Sequence, residues 1–259
     1  MRLRIELTPT QFRQEGVNRY SCRILGLYAA LGVELIEIPV HQFLPVLTGL
    51  DFWNRFYRVN ERILKDFEDI LSTYDFANTA HALSRLDVTN SKHQRLATAC
   101  LQLADRLNCE KTVFHMSKRF FTQKNDGRPR KRPFLSQDDY STHIFIENME
   151  PHATPQRIQQ CAQGHGLRFC LDLGHFSLSP GWTYDILPEL KPDHLHVHNN
   201  HHANDLHTPI DQGSIDFQSV FKRLGEIPDT VIMELHVEGD EKAYYSRAWE
   251  TAQKLVSER

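Results

Sequence analysis

The apolar and polar positions change period repeatedly along the chain. Leu3–Pro9 alternates apolar and polar residues, as a half-buried strand does, and Asn18–Leu31 carries apolar residues at helical spacing. Val33–Val40 is apolar and β-branched, a second strand. Leu50–Tyr74 reads as one long helix, with Phe52, Trp53, Phe56 and Tyr57 predicted to pack against the body of the protein. Phe76–Leu83 is a weak strand and Lys92–Leu107 an amphipathic helix. Lys111–Met116 is a strand followed by a long basic loop, and His143–Met149 is another strand. Thr154 is the predicted N-cap of a helix that Gly164 or Gly166 stops. Strands follow at Arg168–His175, His194–His198 and Val231–Val237. Helices are predicted at Thr183–Leu190, from the cap Asp216 to Gly225, and at Ala243–Val256.

Strand and helix therefore alternate eight times, with the helix after the fourth strand short or missing. That alternation implies a parallel sheet, and eight units in 259 residues match a single (β/α)8 TIM barrel. A doubly wound open sheet is the runner-up, weakened because no glycine-rich phosphate loop follows any strand. No linker-like shift in composition divides the chain, so residues 1–259 are expected to be one domain. Apolar residues make up 40% and charged residues 24%, which excludes a disordered or collagen-like chain, and no apolar run is long enough for a bilayer. The first residues read as a strand rather than a signal peptide, and the five cysteines are odd in number with no C-x-x-C pair. Both features favour a cytoplasmic protein.

Two features bear on chemistry. Net charge is −3, yet Ser117–Pro133 holds seven basic residues against Asp126 alone, so this tract is +6 and leaves the remainder at −9. Such a tract suits an anionic small-molecule substrate, with Lys118 and Arg119 as candidate contacts. The other feature is 15 histidines. In a barrel the active site lies where strands end. The third strand ends near His81, the fourth at His115, and the fifth at Glu147-Asn148. The sixth ends in Asp172-Leu-Gly-His175, and the seventh carries His196 and His198, with Asp205-Leu-His207 in its loop. The eighth ends at Glu234. Imidazoles and carboxylates gathered on one rim would repel and titrate badly without cations, and together they suit Zn²⁺, Mn²⁺, Fe²⁺ or Co²⁺.

These residues sit in stretches that resemble the xylose-isomerase-like barrel superfamily, which includes sugar isomerases and epimerases and endonuclease IV. The stretches are Ile-Glu-Asn-Met at 146–149, Cys-Leu-Asp-Leu-Gly-His at 170–175 and His-Leu-His-Val-His-Asn-Asn at 194–200. Asn-Asp-Leu-His at 204–207, Gly-Ser-Ile-Asp-Phe at 213–217 and Ile-Met-Glu-Leu at 232–235 complete the set. The resemblance spans nearly the whole chain and is most specific from 111 to 236.

Its two branches imply different chemistry. The epimerase branch implies one metal on Glu147, Asp172, His196 and Glu234. The endonuclease IV-like branch implies three, with Glu147 bridging two of them. His81 and His115 would complete the first, Asp172, His196 and Glu234 the second, and His175, Asp205 and His207 would hold the third. All nine positions are filled, which favours the multi-metal branch; at His81 the family's longer motif gives way to Ala82-Leu83-Ser84.

The implied activity is a metal-dependent hydrolase, a phosphodiesterase that cleaves a P–O bond with metal-activated water. Its cofactors would be two or three divalent transition-metal ions (Zn, Mn or Fe), with Glu147 and Glu234 in catalytic roles. A nucleotide-bearing metabolite fits the net charge better than DNA, and some superfamily members cleave the nucleotide loop of cobamides. An isomerase or epimerase, and an apurinic-site DNA endonuclease, remain alternatives. No membrane partner is expected, nucleic acid is not favoured, and the sequence leaves oligomeric state open.

His198 and Asn199 are further candidates for substrate contact or ligand support. Asn148 fits a metal-site donor or a strand-end brace equally well. Glu6 and Glu37 could point into the barrel or out to water, and His236 is expected to be structural.

Overall fold

The computed structural model describes residues 2–7, 17–44, 59–82, 91–115, 140–148, 154–179, 182–237 and 240–257. Eight parallel strands pair in chain order and close on themselves, giving the (β/α)8 barrel that the alternation implies. The strands are β1 (Arg2–Glu6), β2 (Leu35–Pro39), β3 (Ala77–His81), β4 (Cys109–His115), β5 (His143–Glu147), β6 (Arg168–Asp172), β7 (His194–Val197) and β8 (Thr230–Met233). Between them lie helices α1 (Val17–Ala30), α2 (Glu61–Leu71), α3 (Ser91–Arg106), α4 (Pro155–Gly164), α5 (Leu173–Leu178) and α6 (Phe217–Arg223), and α7 (Glu241–Ser257) follows β8.

The main core is the layer between strands and helices. Ile36 and Ile38 of β2, Ile144 and Ile146 of β5, and Leu195 and Val197 of β7 pack there against residues such as Leu64, Leu101 and Trp249 from the helices. Successive strand side chains face opposite ways, so the alternate residues must line the barrel interior. Val113, Phe145 and Cys170 do so and form a small apolar cluster of their own.

Local chemistry sets most boundaries. Asn60 accepts the N–H of Ile63 and Thr154 that of Arg157, capping α2 and α4; Asp216 caps α6 through Ser219. Gly166 takes φ +69° after α4, a conformation in which a side chain is strained.

Several expectations need correction. Within the described residues of Leu50–Tyr74, helix begins only at Glu61, because Asn60 caps it there. The periodicity gives no sign of the 3-10 turn at Val40–Phe43, and Tyr184–Glu189 is 3-10 rather than α-helical, with Pro188 inside it. The sixth strand stops at Asp172 instead of running to His175. The Asp172 carboxylate accepts the N–H of His175 and starts α5, turning the chain three residues early. The weak β3 is a full strand, held by β2 from Leu35↔Ala77 to Pro39↔His81 and by β4 on its other side. Phe52, Trp53, Phe56, Tyr57 and the basic tract Ser117–Pro133 lie outside the described residues.

Among the described residues no helix is long and apolar enough to cross a membrane.

Candidate metal centre

Strand alternation delivers the site. His115, Glu147 and Asp172 each stand two residues beyond Val113, Phe145 and Cys170, on the same inward face and at the rim where the strands end. His81 ends β3, His196 lies on β7, and Glu234 follows β8 directly. All six are buried. Ile5, Leu7, Ile36 and Ile38 belong to the outer core, so Glu6 and Glu37 between them turn inward and are buried as well. That alternation is present in the sequence and is the signal that decides their direction.

Among the described residues five groups of donor atoms result, of which two overlap the others through His196, one with Glu37, His81 and Glu234 and one with Cys170 and His194; the remaining three are built from the strand-end residues and the loop after β7. In the first, His115 Nε2 lies 2.6 Å from Glu147 Oε2 and 3.0 Å from His81 Nε2, and His81 Nε2 is 3.5 Å from Glu147 Oε2. In the second, Glu147, Asp172, His196 and Glu234 each offer an atom within 4.8 Å of the others. His196 Nδ1 there is 2.7 Å from Glu234 Oε1 and 3.3 Å from Glu147 Oε1. In the third, Asp205 is central: His175 Nε2 is 3.3 Å from it, His207 Nε2 3.2 Å and His198 Nε2 3.6 Å. Donors bound tetrahedrally at 2.0–2.1 Å are separated by about 3.3 Å, the same scale as these spacings. The nine residues singled out at the strand ends thus come together, and His198 joins them.

The third group depends on two local devices. The cap at Asp172 brings His175 in on the first turn of α5, with its Nδ1 3.0 Å from the Asn148 carbonyl oxygen. The loop after β7 folds back through a bridge between Asn199 and Thr208, whose backbone hydrogen bonds of 2.8 and 3.0 Å return Asp205 and His207 to the rim. His207 takes φ 51° and its carbonyl accepts the N–H of His236. The rings of His198, His207 and His236 stack in turn, at 3.9 and 4.3 Å.

The donors fit metal ions by a test independent of spacing. Both Glu147 oxygens, Asp172 Oδ2, both His196 nitrogens and Glu234 Oε1 are buried without a hydrogen-bond partner. Orphaned polar atoms of this kind are costly unless something else satisfies them, and imidazole with carboxylate is a transition-metal donor set.

Electrostatics points the same way. Burial alone would raise the Glu147 carboxyl, but the His115 and His196 imidazoles hold it well below the carboxylate range. Burial likewise opposes charge on Glu234, and His196 and His81 outweigh it. Burial pulls the imidazoles of His81, His175, His196 and His198 down, yet the surrounding carboxylates, preceded at His196 by the Cys170 sulfur, push all four above the ordinary histidine value. His115 goes the other way, lowered by burial. Glu6 is pushed up to about 7 by burial and by the nearby Glu234.

Other candidates separate cleanly. Asn148 braces β6, accepting the Asp172 N–H and donating to its carbonyl, both at 2.8 Å. The Asn199 amide donates to the carbonyls of Ile210 and Ile215 and accepts the N–H groups of Asn200 and Ile215, so the loop uses its hydrogen-bonding capacity. Lys118 and Arg119 lie outside the described residues.

A family model described as a xylose isomerase-like TIM barrel matches residues 25–255. No curated protein matches the sequence. Among solved structures, a D-tagatose 3-epimerase-like protein superposes with a TM-score of 0.64 at 17% identity, covering 99% of this chain and 97% of that one. Endonuclease IV from Thermus thermophilus gives 0.61 at 16% identity, with 100% of each chain covered. Another protein from that organism, from a crystal soaked with ZnCl2, gives 0.62 at 15% identity, covering 97% of this chain and 99% of that one. At these identities the likeness is one of fold.

Proposed function

Since the chain belongs to the xylose isomerase-like TIM-barrel family, we propose that it is a divalent-metal-dependent phosphodiesterase acting on a small, nucleotide-bearing phosphodiester. One observation carries this reading: three donor groups adjoin one another, where a single-ion site needs only the middle one. Glu147 belongs to both the first and the second group. His175 Nδ1, from the third group, approaches Glu147 Oε1 to 3.4 Å, and His207 Nδ1 lies 3.8 Å from Glu234 Oε2.

His81, His115 and Glu147 would hold one ion, Glu147, Asp172, His196 and Glu234 a second, and His175, Asp205 and His207, with His198 beside them, a third. Bound there, divalent cations supply Lewis acidity, water activation near neutral pH and charge neutralisation on phosphate oxygens. The protein does the rest. Glu147 keeps the first two groups at a fixed separation. Glu234, between the second and third, takes the proton from the attacking water. The new bond joins water oxygen to phosphorus, the ester P–O bond breaks, and solvent protonates the departing alkoxide. The basic tract Ser117–Pro133 begins two residues after His115 in the chain, which suits an anionic substrate arriving at this rim.

A sugar epimerase is the second reading. It is favoured by the pairing of Glu147 and Glu234 in one group, two carboxylates suited to moving a proton on either face of a ketose, and by the epimerase-like neighbour in fold.

Metal analysis and two assays separate the readings. The phosphodiesterase should contain two or three ions per chain and hydrolyse bis(p-nitrophenyl) phosphate. Glu147→Gln should lower that rate by about 10²-fold or more, corresponding to several kcal/mol of lost transition-state stabilisation. One ion at full occupancy, unchanged by His115→Ala, together with solvent deuterium entering a ketose at carbon 3, would establish the epimerase instead.

A further inference from the structure

Glu37 lies on β2, outside the nine residues that the family resemblance implicates. It is fully buried inside the barrel, and its Oε1 has no hydrogen-bond partner. Facing it at 3.3 Å is His196 Nε2, equally buried and equally without a hydrogen bond. The other nitrogen of the same ring, Nδ1, is the one that meets Glu234 and Glu147. The imidazole therefore stands between the second donor group and a carboxylate below it.

A neutral imidazole has one lone pair and one N–H. To hold an ion through Nδ1, His196 must keep its proton on Nε2, and that proton needs an acceptor. The surroundings of Glu37 make it that acceptor. Thr79 donates its hydroxyl to Glu37 Oε2 at 3.1 Å. Lys111 Nζ donates to Thr230 Oγ1 at 2.6 Å, and His194 Nδ1 lies 2.9 Å from the same oxygen. His194 Nε2 lies 3.9 Å from Glu37 Oε2. Thr79 thus satisfies Oε2 and leaves Oε1 to accept from His196. The Cys170 sulfur also lies within 4.8 Å of His196. A thiol is a weak donor, however, and an imidazole N–H to a carboxylate is the stronger, charge-assisted pairing.

We propose that Glu37 is a positioning residue for His196: it accepts the Nε2 proton and fixes the tautomer whose Nδ1 holds a divalent cation between Glu147 and Glu234. Carboxylates in this relation to a ligating histidine raise its basicity and set its ring orientation. The inference rests on the metal centre described above and holds for either chemistry proposed there.

The test is a Zn²⁺ titration of the full-length, metal-stripped protein against a competing chelator, with ¹⁵N-histidine NMR of the zinc-loaded form. Glu37→Gln should weaken one ion by about 10- to 100-fold while the number bound at saturation stays the same. The slowly exchanging Nε2–H signal of a histidine coordinated through Nδ1, assigned by its absence in His196→Asn, should disappear in Glu37→Gln. Thr79→Val leaves the carboxylate in place and should weaken the same ion less, which keeps the test open if Glu37→Gln fails to fold. Unchanged affinity and an unchanged signal would overturn the proposal. One ion fewer at saturation would also overturn it, because Glu37 would then be a ligand alongside His81, His196 and Glu234. If the unmodified protein binds no zinc, the metal centre itself fails, and the flat titration distinguishes that result from a fault in Glu37 alone.

Discussion

His198 packs so tightly over Gly174 that a Cβ at position 174 would fall 2.0 Å from its ring. Glycine is required there because the ring has no room to retreat: it is fully buried and stacked on His207 at 3.9 Å. Gly174→Ala should therefore push His198 out of the third donor group. The expected cost is about 1–3 kcal/mol of stability, as for other overpacked sites, and, if the third donor group holds an ion as proposed, a lower metal content. Urea denaturation and metal analysis of the same preparation measure both, and wild-type values in each would show that the ring can move. Gly174 lies in the motif Asp172-Leu-Gly-His175, but the sequence does not say why it is glycine. The reason is a side chain 24 positions away, just past the end of β7.

At the scale of the element, each strand has an outer face that feeds the core and an inner face that feeds the site. Helices supply the packing, and their caps fix where each strand–helix unit ends. Asp216 is the clearest case, accepting the Ser219 N–H at 3.1 Å and the Ser219 hydroxyl at 2.6 Å. Asp216→Ala should lower stability by about 1 kcal/mol without changing metal content. Equilibrium denaturation reads the first and metal analysis the second; a change in metal content would mean that α6 also shapes the rim. Caps at Thr154 and Asp216 are legible because they precede clear helical periodicity. The cap at Asp172 is not, because its side chain reads as a ligand at the end of an apolar run. Such a run does not show where strand gives way to helix.

At the scale of the whole molecule, the proposed metal centre would set protons and metal ions in competition for one buried set of groups. His81, His175, His196 and His198 all have values raised above the ordinary 6.5. In the metal-free protein they contribute stability below that value and lose it as pH rises through their folded-state values. Glu6, pushed up to about 7, acts in the same direction. His115, His194 and His236 are lowered, the last two to about 3 and about 4, so above pH 6.5 they are neutral in both states and add little slope.

Ion binding has the opposite trend, because each protonated imidazole must lose its proton before it can coordinate. Zinc affinity should therefore rise from pH 6.5 to 8. The gap in unfolding temperature between zinc-loaded and chelator-treated protein should widen over the same range. An ion present at 100 times its dissociation constant contributes about 2.7 kcal/mol. A gap that is constant or narrows with pH would contradict this account; thermal unfolding at several pH values decides it.

The sequence alone determined the barrel, since eight alternations of period leave few other ways to bury so many apolar faces. It also determined the rim chemistry, since residues at strand ends in such a barrel share one mouth. What it left open was which of these groups meet, and at what distance. The alternation of Ile36, Glu37 and Ile38 sets Glu37 on the face opposite its neighbours, but that it meets His196 followed from closure of the sheet. Whether Asp205, His207 and His198 formed a group with His175 followed from the folding back of the loop after β7, set by hydrogen bonds between residues nine apart. Periodicity records which face a residue belongs to. Only the closed barrel decides which faces meet, because contacts across it join residues far apart in the chain.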